Sequence, residues 1–175
     1  MIRIISIAFA LLVCAGSVSA QQNAPLNVAS PPVGSMTREQ LLAVARDIHR
    51  LEASPLAPDA AAARQELFAW LSESPDVTIS VCHGVIGELP RSRSAYHDLL
   101  LLQFVLSSGA YAIEHPDADA GRVALGGLEG IMATYAALEA QQGARARDEV
   151  MERFAELRAG GRLEAFAREG ALDCD

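Results

Sequence analysis

The chain contains no lysine: all 14 of its basic residues are arginine. That absence excludes Schiff-base and pyridoxal-phosphate chemistry, a phosphate-loop lysine and a Ser-x-x-Lys nucleophile. Aromatic residues make up only 5% of the sequence, too few for an extended carbohydrate or base-stacking platform. Acidic residues outnumber basic ones, 22 to 14, for a formal net charge of −8. Such a chain has no general attraction for nucleic acid or anionic lipid. Beyond the N-terminus no stretch is long and apolar enough to span a bilayer.

The N-terminus itself reads as an export signal. Arg3 gives a short positive start, and residues 4–13 are apolar except for Ser6. The small residues Ala15, Gly16, Ser17 and Ser19 follow, with Val18 and Ala20 in the two positions that signal peptidase reads. The run softens into glycine and serine too soon for an anchor, and Val13 stands where a lipidated Cys14 would be preceded by a small residue. Residues 1–20 are thus expected to be a signal peptide cleaved after Ala20, which places the mature protein in the periplasm or outside the cell. About 155 residues remain, enough for one domain. Cleavage also removes Cys14 and leaves Cys82 and Cys174, which should pair in an oxidising compartment. A loop of about 90 residues closed in this way is worth roughly 4–5 kcal/mol in the chain-entropy picture.

Residues 21–35 carry Pro25, Pro31 and Pro32 and show no apolar period. They read as a flexible, disordered linker. Residues 36–175 read as one α-helical domain, a bundle of six to seven helices or a short array of αα-hairpins. Three Pro-Asp pairs (Pro58-Asp59, Pro75-Asp76, Pro116-Asp117) each precede an apolar period, as helix starts do. A first helix over 37–52 has a capping box from Thr37 to Gln40 and an apolar face of Leu41, Val44, Ala45, Ile48 and Leu51. A second, over 59–72, should bury Ala63, Leu67, Phe68, Trp70 and Leu71. The segment after Pro75 is ambiguous. Val77-Thr78-Ile79-Ser80-Val81 alternates like a strand, but Val77, Val81, Val85 and Leu89 recur every four residues, which favours a helix ended by Pro90.

A central helix is expected over 94–114, a fifth over 121–142, a sixth over 146–158 and a short seventh ending near Gly170. Gly126, Gly127 and Gly130 cost the fifth helix about 1 kcal/mol each against alanine, so they are expected to admit a neighbouring helix backbone. The sixth should bury Val150, Met151, Phe154 and Leu157 and carry a Glu149–Arg153 pair at helical spacing.

The residues with chemical potential lie mostly on the central helix. At 100° per residue, Gln103, Ser107 and Glu114 fall within about 20° of Tyr96 on an otherwise apolar helix. Such a stripe is either a wet face, a line of polar partners, or the wall of a small-ligand pocket. Four histidines, His49, His83, His97 and His115, lack metal-site spacing. There is no His-Glu-x-x-His, and none has a glutamate three residues before it. His97 and Asp98 should diverge by about 100°. No Gly-x-Ser-x-Gly occurs, and the Glu114 and Asp117 carboxylates read as helix caps rather than as a glycosidase pair. No cofactor or metal is therefore expected.

The run from Trp70 to Cys82, with Ile113-Glu114-His115-Pro116-Asp117 and Gly127-Leu128-Glu129-Gly130 downstream, resembles a group of secreted bacterial α-helical proteins of unknown function. The resemblance implies no activity, ligand or site residue. From the residues alone, the expected role is a non-catalytic binding or scaffold module for a protein, a peptide or a small apolar ligand. The alternative is a ligand-binding protein or enzyme built on Tyr96, Gln103 and Glu114.

Overall fold

Thr37 opens the first helix as its sequence predicts. In the computed structural model, which describes residues 24–31, 34–172 and 174, the Thr37 hydroxyl accepts the Gln40 amide at 3.3 Å. The Gln40 side chain accepts the Thr37 amide at 2.8 Å. Helix α1 (Arg38–Ala53) buries Val44, Ala45, Ile48 and Leu51. The expected signal peptide lies outside the described residues. Among those described there are seven α-helices and no strand: α1, α2 (Ala60–Glu73), α3 (His83–Ile86), α4 (His97–Glu114), α5 (Ala120–Gln142), α6 (Glu149–Ala159) and α7 (Leu163–Gly170). Short 3-10 turns occupy Leu89–Arg91 and Gly143–Ala146.

The Pro-Asp pairs do less than expected as helix caps. Asp59 sits at the N-cap of α2 but makes no side-chain cap bond. Its carboxylate instead accepts the amides of Leu26 and Asn27, each at 2.8 Å, in the segment before the domain. Those backbone bonds hold the Asp59 carboxyl below its ordinary value. Asp76 likewise accepts the Met36 amide at 2.7 Å. Helix α5 is capped by Asp119, which accepts the Arg122 amide, rather than opened by Pro116-Asp117. Phe68, expected in the core, is 41% exposed.

The largest departure lies at 74–82, where the expected helix does not form and no strand replaces it. The reason is the packing on either side. Val77 and Ile79 belong to an apolar cluster with α1 and α2, whereas Cys82 and Val85 belong to a second cluster with α5, α6 and α7. Extended chain advances about 3.3 Å per residue against 1.5 Å in a helix. Five extended residues therefore reach about 16 Å, and five helical ones only about half that. The segment serves as a bridge between two cores.

Helix α4 is shared by both clusters: Leu106, Ala110 and Ile113 enter the first, Leu100 and Phe104 the second. It packs on α1, α2 and α5 in the bundle, while α6 and α7 pack against α5 and each other. Its start falls at His97 rather than Ser94, because the Ser94 hydroxyl and carbonyl accept the Tyr96 and His97 amides in a local turn. The expected glycine contacts are present. A Cβ at Gly126, Gly127 or Gly130 would overlap Tyr111, Ser108 or Ser107 of α4 respectively.

Helix α6 begins at Glu149 behind its cap Asp148, later than expected. Glu149 and Arg153 are not paired; Arg147 pairs instead with Glu152 at 3.1 Å. Cys82 and Cys174 are disulfide-bonded with Cα atoms 4.8 Å apart, which fastens the C-terminus beside α3.

Candidate functional site

The polar stripe of α4 turns inward. Gln103 and Ser107 are buried, while Glu114 is partly exposed at the far end of the helix. Facing them, α1 supplies Glu52 and His49, and α2 supplies Arg64, which is 3% exposed. One hydrogen-bonded chain connects all six. Arg64 Nε donates to Gln103 Oε1 at 3.0 Å, and Gln103 Nε2 donates to Ser107 Oγ at 3.2 Å. The Ser107 hydroxyl donates to Glu52 Oε1 at 2.6 Å. His49 then bridges Glu52 Oε2 at 2.9 Å and Glu114 Oε1 at 3.1 Å. Of the four stripe residues expected from sequence, Gln103, Ser107 and Glu114 come together here. Tyr96 does not: it sits at the N-cap of α4, its amide bonded to Ser94.

The charges in this chain follow from its surroundings. The Arg64 guanidinium also donates to the carbonyls of Leu51, Pro55 and Ala60. Leu51 is in the last turn of α1, Pro55 in the loop after it and Ala60 at the start of α2, so the cation meets the negative end of the α1 dipole. Burial pushes its pKa down to about 10, which leaves it charged at neutral pH. The hydrogen bond to Glu52 raises His49, against the opposing effect of burial, to about 9. Its imidazolium therefore donates from both nitrogens. Arg38 adds a clasp from α1 to the last turn of α4, donating to the carbonyls of Ile113 and Glu114.

Serine, histidine and carboxylate thus meet, but with the serine buried away from solvent. The Glu52 carboxylate is a base within hydrogen-bond reach of Ser107, but a nucleophile must also be open to its substrate. Here the Ser107 proton goes to Glu52, and both His49 nitrogens are held by Glu52 and Glu114. The Ser107 side chain is also only 2% exposed.

Elsewhere, His97 and Asp98 do not diverge as expected. His97 Nε2 lies 3.1 Å from Asp98 Oδ1, because His97 is drawn back by its Nδ1 contact to the Ser94 carbonyl. Among the described residues no three of His, Cys, Asp and Glu are grouped as metal ligands would be. No helix among them is long and apolar enough to cross a membrane. A shallow apolar recess of about 280 Å³ lies beside the exposed Phe68 and Val81.

A larger concavity, about 770 Å³, opens between the loop before α4 and the start of α6. Arg91, Arg93, Arg145, Arg147 and Arg153 all line it. Its walls are tied together by Asp148, 2% exposed. Asp148 accepts the Ser92 hydroxyl at 2.5 Å from one wall and the Val150 and Met151 amides from the other. Behind it, the Asp148 amide donates to the Tyr135 hydroxyl at 3.2 Å, and burial raises that phenol above its ordinary pKa. Sequence reasoning missed this groove. The available signal was two Arg-x-Arg pairs, Arg91/Arg93 and Arg145/Arg147, in a chain of net charge −8.

Comparison of the chain with family models, curated proteins and solved structures returns no match.

Proposed function

We propose that the protein is an exported, non-catalytic binding or scaffold module. The observation that carries this reading is the hydrogen-bonded chain from Arg64 to Glu114, which engages polar groups of α1, α2 and α4 with one another. Arg64, Gln103 and Ser107 are buried and bonded to partners within the protein, so they are not presented to a substrate. The same bonds weigh against a pocket on Tyr96, Gln103 and Glu114, because Gln103 is buried behind its partners. The Cys82–Cys174 bond is compatible with an oxidising compartment.

One experiment addresses both parts of the proposal. Protein purified from its native compartment is treated with a fluorophosphonate serine probe and analysed by intact-mass and peptide mass spectrometry. The expected result is a chain starting at Gln21, with Cys82 linked to Cys174 and no adduct. A chain that retains residues 1–20 with both cysteines reduced overturns the export reading. An adduct on Ser107 overturns the non-catalytic one.

A further inference from the structure

The geometry points to the arginine-lined groove as a binding site for a small ligand carrying at least two anionic groups, phosphate or carboxylate. This deepens the binding-module reading above and rests on it.

Charge is the first support. The groove sets five arginines, Arg91, Arg93, Arg145, Arg147 and Arg153, against three carboxylates, Glu88, Asp148 and Glu149, in a chain whose acidic residues outnumber its basic ones. Arg91 reaches Glu88 at 3.4 Å and Arg147 reaches Glu152 at 3.1 Å. Among the described residues Arg93, Arg145 and Arg153 have no carboxylate within ion-pair distance. Each guanidinium presents a planar fork of donors that matches a carboxylate or phosphate edge.

Construction is the second. The two Arg-x-Arg pairs stand on opposite walls, and the buried Asp148 fixes one wall to the other through Ser92 and the α6 amides. Asp148 accepts the Val150 and Met151 amides of α6 itself, so the charged donors that line the groove are the arginines. Tethered walls lower the ordering cost of binding. Size is the third: about 770 Å³ falls within the range of small-molecule sites, roughly 300–1,000 Å³.

The test is calorimetric titration of the mature protein with pyrophosphate and, separately, with citrate at low ionic strength. A phosphate-release assay is run on the pyrophosphate sample. Either anion should bind at sub-millimolar concentration, and the one that binds more tightly names the recognised group. The double variant Arg93→Ala/Arg145→Ala should weaken binding by at least tenfold while melting like the wild type, because both residues are exposed. Arg158→Ala, an exposed arginine on α6 that does not line the groove, should leave binding unchanged. The proposal is overturned if neither anion binds, if Arg158→Ala weakens binding as much as the double variant, or if only vesicles containing anionic lipid bind. Phosphate release from bound pyrophosphate would leave the groove standing and sink the non-catalytic reading instead.

Discussion

Two sets of arginines in this molecule have opposite surroundings. Arg64 is buried and its guanidinium is met by Gln103 and three backbone carbonyls. Arg93, Arg145 and Arg153 are exposed around a concavity with no carboxylate partner among the described residues. A guanidinium whose donors are satisfied by the fold belongs to the fold. One whose donors face an open groove is free to take a ligand. The side chain is the same in both, and only the acceptors around it assign the role.

That contrast breaks most directly at Arg64. Arg64→Ala leaves four acceptor oxygens without their donor and empties a buried site, so it should destabilise the protein by about 3–5 kcal/mol. Arg93→Ala should change stability by less than about 0.5 kcal/mol. Urea denaturation with the disulfide intact measures both, and equal losses would abolish the distinction.

Gly130→Ala probes the same interface from the other side. Its new Cβ would overlap Ser107 and crowd Glu52, both members of the polar chain, and should cost about 1–3 kcal/mol. Wild-type stability in this variant would mean that α4 and α5 have room to separate.

The smallest effect sharpens the picture through pH. His49 is raised from 6.5 to about 9. A raised histidine stabilises the fold fully below its unfolded pKa, and that contribution fades as pH rises through the folded value. The melting temperature should therefore fall between pH 6.5 and 9, by the equivalent of less than about 1 kcal/mol because the ring is 45% exposed. His49→Gln should remove that slope, and an unchanged slope would place its origin elsewhere.

Much of the helical framework was legible in the chain. The Thr37 box, the apolar face of α1 and the close approach at Gly126, Gly127 and Gly130 all depend on spacings of three or four residues or on the lack of a Cβ. Those signals sit in a short window. The polar stripe on α4 was legible as a stripe, but its partners were not, since Glu52 and Arg64 lie 55 and 39 residues away from Ser107 and Gln103. Phe68 matched the helical period of α2 and still emerged at the surface, because periodicity marks a face but not its edges.

By itself, the sequence determined that this is an all-α chain and where most helices begin and end. Capping, periodicity and glycine placement act between near neighbours, so they can be read locally. Only the tertiary structure decided that residues 74–82 stay out of a helix, that Asp59 and Asp76 hold the preceding segment instead of capping helices, and which arginines are satisfied. Those outcomes depend on two separate apolar clusters and on acceptors brought together from distant parts of the chain. No local pattern encodes how far apart two cores will lie, or which carbonyl will face a given guanidinium.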